Sequence, residues 1–261
     1  MTERTSQEVV GLADGVSVPL IGFGTWELDS DDAYNGTRAA LEIGYRHIDT
    51  ASAYANEESV GAAVRDSGLD RSDVFITTKC PPGNAGREAQ TIDASLKALE
   101  VDFVDLWLVH WPPNRQASPG TWKAFIEALE QGKTRAIGVS NYSIAQIDEL
   151  IAATGRAPAL NQIPWNPFMF DAGEVAELKS RQVALEGYSP LKRSDLGNPV
   201  LTEIAAAHGK SAAQVILRWH VEHGFVVIPR SQRRERIEEN FDIFDFELTA
   251  EELGKIDALG K

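Results

Sequence analysis

Short apolar runs alternate with longer amphipathic segments along the chain. The runs resemble buried strands, and the segments between them carry apolar residues every three or four positions, as helices do. One helix is predicted over residues 88–99, where Ile92, Leu96 and Leu99 fall in phase. Two helical segments precede the last strand, over residues 200–208 and 212–223. The predicted strands begin near residues 20, 46, 74, 104, 136, 159, 183 and 225.

Eight strands, each followed by a helical pattern, predict an α/β fold, a (β/α)8 barrel of the TIM type. The 261 residues match the roughly 250 of such a barrel, so we expect one domain over residues 1–261. Before the first strand, Asp14-Gly15 between two short apolar runs predicts an N-terminal β-hairpin that caps the barrel. Ser30 or Asp31 is expected to cap the first helix.

Composition narrows the class of protein. Lys and Arg total 25 against 39 Asp and Glu, and the net charge of −14 makes nucleic acid a poor partner. No apolar run approaches the roughly 20 residues that span a bilayer. Residues 1–8 lack the apolar stretch of a signal peptide, so we expect a cytoplasmic protein, and nothing demands more than a monomer. The single cysteine, Cys80, excludes an internal disulfide and is expected to be a packed thiol.

Polar side chains stand where the predicted strands end. In a (β/α)8 barrel the carboxyl ends of the strands form the reactive face, so residues at these positions are expected to converge. Tyr54 follows the end of the second strand by five residues. The polar residues at the strand ends are Asp49, Lys79, His110, Ser140, Asn141, Gln162, Tyr188, Arg230 and Ser231.

Four of these residues can together transfer a proton. The pKa of a free tyrosine is about 10, and an adjacent ammonium favours the phenolate, so Lys79 is expected to lower the pKa of Tyr54. Asp49 would keep Lys79 charged, and His110 would donate a hydrogen bond to a substrate oxygen. Such a group can protonate a carbonyl as negative charge develops on its oxygen. The hydride needed for reduction must come from a cofactor.

The remaining strand ends suit a nicotinamide nucleotide. Tyr188 offers a flat ring for stacking, and the amides of Asn141 and Gln162, with the Ser140 hydroxyl, suit a carboxamide. Gly22-Phe23-Gly24 does not continue into a dinucleotide fingerprint, because Glu27 occupies the third glycine position.

Arginines cluster at the start of a late helix, at Arg230, Arg233, Arg234 and Arg236. A cation there opposes the helix dipole, and a bound phosphate would remove the conflict. The 2′-phosphate of NADPH fits this site, so we favour NADPH over NADH.

Each residue also has a structural interpretation. Asp49 with Lys79 could be a buried ion pair, His110 a core histidine and Tyr188 simple packing. The arginines could form a solvated face with neighbouring glutamates. Their joint placement at one end of one barrel favours the functional interpretation.

Two further groups of residues also have both a functional and a structural interpretation. His47 and Asp49 share one side of a strand, but without a third ligand a metal site is not expected. Trp26, Trp111 and Trp165 follow strand ends, where they could line a substrate pocket or simply anchor loops.

The sequence resembles the aldo-keto reductase superfamily, and within it the bacterial 2,5-diketo-D-gluconic acid reductases, over residues 16–259. The motifs that carry the resemblance are Gly44-Tyr45-Arg46-His47-Ile48-Asp49-Thr50-Ala51 with Tyr54, Thr77-Thr78-Lys79, Leu108-Val109-His110-Trp111-Pro112, Gly138-Val139-Ser140-Asn141, and Ile228-Pro229-Arg230-Ser231 continuing to Arg236-Ile237-Glu238-Glu239-Asn240.

The resemblance implies a barrel that binds NADPH without a Rossmann fold. It implies Tyr54 as the general acid, Lys79 and Asp49 as the pair that tunes it, and His110 as the residue that orients the substrate carbonyl. The implied substrate-binding residues are Trp26, Tyr54, His110 and Trp111. The implied cofactor-binding residues are Gly24, Thr25, Ser140, Asn141, Gln162, Tyr188, Ser189, Leu191, Arg230, Ser231, Arg236, Glu239 and Asn240.

The sequence departs from the family pattern in three places. Arg230 stands where a lysine is frequent, so the preference for NADPH is expected with altered strength. Ile163-Pro164-Trp165-Asn166 replaces common acidic and aromatic residues, which predicts an unusual pocket wall. The chain ends at Lys261 without the long C-terminal loop of mammalian members, from which we expect an open pocket.

These observations predict an NADPH-dependent reductase of small ketoaldehydes, aromatic aldehydes or keto sugar acids. A nicotinamide-nucleotide-binding sensor on the same barrel is the alternative, and a barrel with a vestigial site is a third. The reductase should lose activity at alkaline pH as Tyr54 ionises.

Overall fold

The computed structural model describes residues 8–13 and 15–260 of the chain. Strands and helices alternate as the pattern predicts. The strands are β1 (Val9–Gly11), β2 (Ser17–Pro19), β3 (Phe23–Gly24), β4 (His47–Asp49), β5 (Phe75–Cys80), β6 (Val104–Val109), β7 (Thr134–Ser140), β8 (Leu160–Pro164), β9 (Ala184–Tyr188) and β10 (Val226–Ile228). The helices are α1 (Ser30–Ile43), α2 (Glu57–Asp66), α3 (Glu88–Leu99), α4 (Pro119–Glu130), α5 (Ile144–Thr154), α6 (Ala172–Ser180), α7 (Pro199–His208), α8 (Ala212–Glu222), α9 (Arg234–Phe241) and α10 (Ala250–Asp257).

Strands β3 to β10 form one parallel sheet in sequence order. Its two edges meet through a parallel bridge between Ile21 and Val227. The Val227 amide donates to Leu20 O at 2.8 Å, and the Gly22 amide donates to Val227 O at 2.9 Å. The predicted (β/α)8 barrel is therefore confirmed, with α7 and α8 both lying between β9 and β10.

The predicted N-terminal hairpin is also present. Strands β1 and β2 pair antiparallel, with Val10 opposite Val18. Val18 is fully buried in the apolar core. Asp14, half of the predicted turn, and residues 1–7, on which the prediction about a signal peptide rests, lie outside the described residues.

Two boundaries differ from prediction. Asp29, rather than Ser30 or Asp31, caps α1, because its carboxylate accepts from the Asp32 amide at 2.9 Å. Strand β3 covers only Phe23 and Gly24, whereas the prediction places its start near residue 20. Gly22, just before β3, still lies in the barrel wall, since a Cβ at this position would come within 2.6 Å of the His47 ring.

The apolar core lies between the barrel and its helices. Trp107 of β6 stacks on Phe125 of α4 with ring centroids 3.7 Å apart. Cys80 is buried as a packed thiol, and burial raises its pKa to about 12. Within the described ranges, no helix is long and apolar enough to cross a membrane.

Candidate active site

Three of the predicted catalytic residues meet at the carboxyl end of the barrel. The Nζ atom of Lys79, on β5, lies 2.5 Å from Oδ1 of Asp49, the last residue of β4. It also donates to Thr50 O at 2.9 Å and to the hydroxyl of Tyr54 at 3.3 Å. The Lys79 ammonium thus connects the carboxylate with the phenol.

A single helical turn places Tyr54. Residues Ser52–Tyr54 form this turn directly after β4, and Ala55 ends it in the left-handed region at φ 56°. The Ser52 hydroxyl donates to Lys79 O at 3.0 Å, which ties the turn to β5. The phenol is therefore held by the strand that carries its lysine neighbour.

The ion pair is almost completely removed from water. The Lys79 side chain is 0% exposed and that of Asp49 is 2% exposed. Burial opposes the charge on Lys79, but Asp49 and Tyr54 outweigh it and raise the pKa of Lys79. Burial raises the pKa of Asp49, against the stabilising effect of Lys79 and of a hydrogen bond from Gln162. With a contact this short, we take Lys79 as charged and Asp49 as ionised.

The pKa of Tyr54 departs from the expectation. Burial raises it, and Lys79, which acts in the expected downward direction, does not outweigh burial. The prediction of a lowered pKa is therefore wrong for this structure. Tyr54 is therefore a neutral phenol at pH 7.

His110 completes the group. Its Nε2 atom lies 3.5 Å from the Tyr54 hydroxyl, and its backbone amide donates to Cys80 O at 2.9 Å. Burial and the positive charge of Lys79 lower the pKa of His110 to about 3. The imidazole is therefore neutral near pH 7 and has one N–H to donate.

A hydrogen-bond chain arranges the polar residues beside this group. The Tyr188 hydroxyl donates to Asn141 Oδ1 at 2.8 Å. Asn141 Nδ2 donates to Ser140 Oγ at 2.9 Å, and Ser140 Oγ donates to Gln162 O at 2.9 Å. The ring of Tyr188 is thus fixed relative to the strand ends of β7 and β8.

Gln162 belongs to the ion-pair network as well. Its Nε2 atom donates to Asp49 Oδ2 at 2.8 Å and to Glu186 Oε1 at 3.1 Å. Both amide hydrogens are therefore used inside the barrel. The Oε1 atom of Gln162 has no donor among the described residues.

A cleft of about 1250 Å³ opens from Tyr54 and His110. Its tryptophans Trp26 and Trp111 are 42% and 49% exposed. The other predicted site residues that line it are Gly24, Asp49, Ser140, Asn141, Gln162, Tyr188, Ser189, Leu191, Arg230, Ser231, Arg236, Glu239 and Asn240.

Two expected wall residues do not reach the cleft. Thr25 is fully buried, and its hydroxyl donates to Asp49 O at 3.0 Å, so it lies behind the wall. Trp165 is also buried and packs edge-on against Phe170 and Phe225, which favours the loop-anchoring interpretation. Of the four residues after Gln162, Pro164 and Asn166 line the cleft, whereas Ile163 and Trp165 do not.

The four arginines differ in their partners. Arg230 contacts Glu27 at 3.2 Å, and Arg234 contacts Glu42 at 2.8 Å. The distance from Arg233 to Glu235 is 3.9 Å. The guanidinium of Arg236 lines the cleft and makes no ion pair or hydrogen bond within residues 8–13 and 15–260.

Sequence reasoning missed several charged residues at the site. Lys192 and Arg193 line the cleft after β9, and the Lys192 ammonium lies 4.7 Å from the centroid of the Trp26 ring. Their adjacency in one loop after a strand was the available signal. Glu186, buried within β9, was also missed, although it stands two positions before Tyr188 and so on the same side of the strand. No group of three His, Cys, Asp or Glu in the described part of the chain could hold a metal.

The fold and the site define a (β/α)8 barrel whose strand ends bring a carboxylate, an ammonium, a phenol and an imidazole together. The Aldo/keto reductase family model matches residues 20–261, and the chain belongs to this family. The resemblance drawn from the motifs is thereby confirmed.

Relatives of this chain include two dicarbonyl reductases by name. A glyoxal reductase of Bacillus subtilis (strain 168) is 41% identical, over 98% of this chain and 94% of that protein. The methylglyoxal reductase DkgA of Escherichia coli (strain K12) is 39% identical, over 95% of this chain and 92% of that protein. The crystal structure of an aldo/keto reductase from Brucella melitensis superimposes with a TM-score of 0.94 at 43% identity, covering 97% of each chain.

Proposed function

We propose that this protein is an NADPH-dependent reductase of small aldehydes and ketones. The observation that carries the proposal is the position of the Tyr54 hydroxyl, 3.3 Å from Lys79 and 3.5 Å from His110, in the lining of the cleft. A half-buried phenol between a fixed ammonium and a neutral imidazole is suited to protonate a carbonyl oxygen.

The residues of the cleft fit NADPH. The guanidinium of Arg236 has no partner among the described residues, and Arg230 and Ser231 line the same cleft, so these three side chains suit the 2′-phosphate. The acceptor Gln162 Oε1, with Ser140 and Asn141, suits the amide hydrogens of the carboxamide, and Tyr188 would cover the ring. Ser189 and Leu191 would lie along the pyrophosphate, with Glu239 and Asn240 at the adenine. When bound, NADPH supplies the hydride.

The side chains supply the proton and position the substrate. His110, neutral at pH 7, would donate its Nε2–H to the substrate oxygen and hold it beside Tyr54. The Tyr54 O–H bond then breaks as the oxygen of the substrate takes the proton. The phenolate that remains is stabilised by the Lys79 ammonium, and Asp49 keeps that ammonium charged and oriented.

The proposed substrates are small ketoaldehydes, aromatic aldehydes or keto sugar acids. The exposed faces of Trp26 and Trp111 could pack on an apolar or aromatic substituent. The names of the glyoxal and methylglyoxal reductases support a dicarbonyl substrate. The net charge of −14 supports a protein without a nucleic-acid partner, and we propose that the monomer is the active form.

The test is oxidation of NADPH and of NADH with methylglyoxal, a nitrobenzaldehyde and 2,5-diketo-D-gluconate, using Tyr54→Phe as the matched variant. We expect turnover with NADPH in the wild type. The rate should fall by a factor of about 10² to 10⁴ in the variant, since only the hydroxyl that donates the proton is removed. NADPH binding without turnover on any carbonyl would contradict the proposal and favour a nucleotide-binding sensor. Failure to bind either nucleotide would instead favour a barrel whose site is vestigial.

A further inference from the structure

A second carboxyl group lies inside the barrel, and the proposed reaction does not use it directly. Glu186 is in the middle of β9 and is 0% exposed. In register it stands opposite Gln162 on β8 and Val226 on β10. The remainder of its strand is Ala, Leu, Gly and Tyr, so the carboxyl group is the one charged side chain that β9 contributes.

Glu186 shares a hydrogen-bond donor with Asp49. The Nε2 atom of Gln162 donates to Glu186 Oε1 at 3.1 Å and to Asp49 Oδ2 at 2.8 Å. Because an ionised carboxylate only accepts, the nitrogen end of the amide must face Asp49, and the oxygen end is turned to the cleft. The other oxygen of Glu186, Oε2, is buried without a partner among the described residues.

The charges around Glu186 come from neighbouring strands. The negative charge of Asp49 on β4 raises the pKa of Glu186, and the positive charge of Lys79 on β5 lowers it. The charge of Glu186 in turn raises the pKa of Tyr54. Strand β10 places only Val226–Ile228 beside it. From α8, His220 approaches the neighbouring Gly187, bonds to Trp165 O at 3.3 Å, and is kept neutral because burial lowers its pKa to about 4.

Two buried carboxyl groups thus share one buried ammonium. Lys79 contacts Asp49 directly, and Glu186 has no counter-ion of its own among the described residues. Burial and the negative charge of Asp49 raise the pKa of Glu186 to about 8. Near pH 7 Glu186 is therefore mostly protonated, and it gains its charge in mildly alkaline solution.

We propose that Glu186 is a positioning residue that holds the Gln162 amide against Asp49 and whose charge state sets how readily Tyr54 releases its proton. The inference rests on the proposed role of Tyr54 as the acid. A negative charge on Glu186 adds to that of Asp49 and disfavours the phenolate, so Tyr54 keeps its proton to higher pH. When Glu186 is neutral, less negative charge counteracts the effect of the Lys79 ammonium on Tyr54, and the phenol dissociates more readily.

The experiment compares wild type with Glu186→Gln, which preserves the volume and the acceptor for Gln162 but cannot ionise. Tyr54 is titrated by the ultraviolet difference absorbance of its phenolate, as the difference between each protein and the same protein carrying Tyr54→Phe, without substrate or cofactor. We expect the midpoint to fall by about one pH unit in Glu186→Gln, the effect of one buried unit charge nearby. The alkaline limb of kcat/KM should move down by the same amount.

A second variant, Glu186→Leu, tests the positioning role. It removes the acceptor as well as the charge, so one Gln162 hydrogen is released and the amide is free to turn. We expect the Kd for NADPH, measured by quenching of tryptophan fluorescence, to rise about three- to tenfold, against an unchanged value in Glu186→Gln. Thermal unfolding by circular dichroism checks that both variants are folded.

Each arm has an outcome that overturns the inference. If the phenolate titration curves of wild type and Glu186→Gln coincide, the charge of Glu186 does not affect the pKa of Tyr54. If Glu186→Leu and wild type bind NADPH with equal affinity, Glu186 does not position the Gln162 amide. The absence of turnover in wild type would contradict the proposed function alone. The phenolate titration needs no turnover, so it still decides the case of Glu186.

Discussion

The Nζ atom of Lys79 lies 2.5 Å from the Oδ1 atom of Asp49, with neither side chain more than 2% exposed. Such a pair is consistent with two roles. It can be a structural ion pair, or it can hold the ammonium that also reaches the Tyr54 hydroxyl at 3.3 Å. The two roles predict different results when both partners are replaced together.

The first prediction concerns this pair. Lys79→Met leaves the buried Asp49 carboxylate without its counter-ion, and we expect the free energy of unfolding to fall by about 3–5 kcal/mol. Replacing both groups, in Asp49→Asn with Lys79→Met, removes both buried charges and should recover most of that loss. Urea unfolding followed by tryptophan fluorescence measures both effects.

Turnover separates the two roles. We expect the double variant to be stable and yet to lose carbonyl reduction by a factor of about 10² or more, because the ammonium beside Tyr54 is gone. A double variant that regained both stability and turnover would show that the pair is structural only.

The second prediction concerns pH. Burial and Lys79 lower the pKa of His110 to about 3, so its imidazole is neutral above about pH 4 and gains a proton only in more acidic solution. We therefore expect its C–H resonances, followed by nuclear magnetic resonance, to stay constant between about pH 5 and 8, where a free histidine with a pKa of about 6.5 titrates. The rate of reduction should show no inflection from His110 in that range.

His110→Gln is the matched variant, since its side-chain amide keeps an N–H donor. We expect a lower kcat, by a factor of about 10 to 100, with the same pH profile. An inflection near pH 6.5 that is present in wild type and absent from His110→Gln would mean that the imidazole is charged in the working enzyme.

The sequence predicted the barrel because its signal is periodic and repeated. Apolar runs of strand length mark buried parallel strands, and α3 falls at the predicted residues 88–99. Strand β3 was predicted to begin near residue 20, but it begins at Phe23. Ile21 instead forms an isolated parallel bridge with Val227, a partner that lies more than 200 residues away in the sequence. Local patterns do not contain that information.

The sequence predicted those residues of the candidate site that stand at the ends of strands. Asp49, Lys79 and His110 stand at or beside such ends, and they converge in the structure. Glu186 was missed because it lies inside a strand rather than at its end. The direction of the Tyr54 pKa was wrong because the depth of burial, which outweighs Lys79, is a property of the assembled barrel.

The third prediction concerns the choice of nucleotide. Arg236 lines the cleft without a partner in the described ranges, so its charge is available to a 2′-phosphate. We expect Arg236→Gln to raise the Kd for NADPH by a factor of about 10 to 100, the value of one charge-assisted hydrogen bond, and to leave the Kd for NADH nearly unchanged. Titration of tryptophan fluorescence with each nucleotide measures both constants.

Arg233→Gln is the control for this prediction. Arg233 belongs to the same cluster but is 63% exposed, lies 3.9 Å from Glu235 and does not line the cleft. It should change the Kd for NADPH by no more than about twofold, the effect of a screened surface charge. Equal losses in the two variants would mean that the cluster acts through its general field rather than through a phosphate contact by Arg236.

The last prediction concerns the substrate. Trp26 and Trp111 line the cleft and are 42% and 49% exposed, and the Lys192 ammonium lies 4.7 Å from the Trp26 ring centroid. An aromatic aldehyde can bury its ring against these indoles, whereas methylglyoxal offers only a methyl group. We therefore expect Trp111→Ala to raise KM for a nitrobenzaldehyde by about tenfold and KM for methylglyoxal by no more than about threefold.

Leu196→Ala is the matched control. Leu196 is an exposed apolar residue of the same cleft, so this variant removes apolar surface but no aromatic ring. Equal increases for both substrates in Trp111→Ala would indicate that the tryptophan shapes the cleft instead of contacting the ring of the substrate.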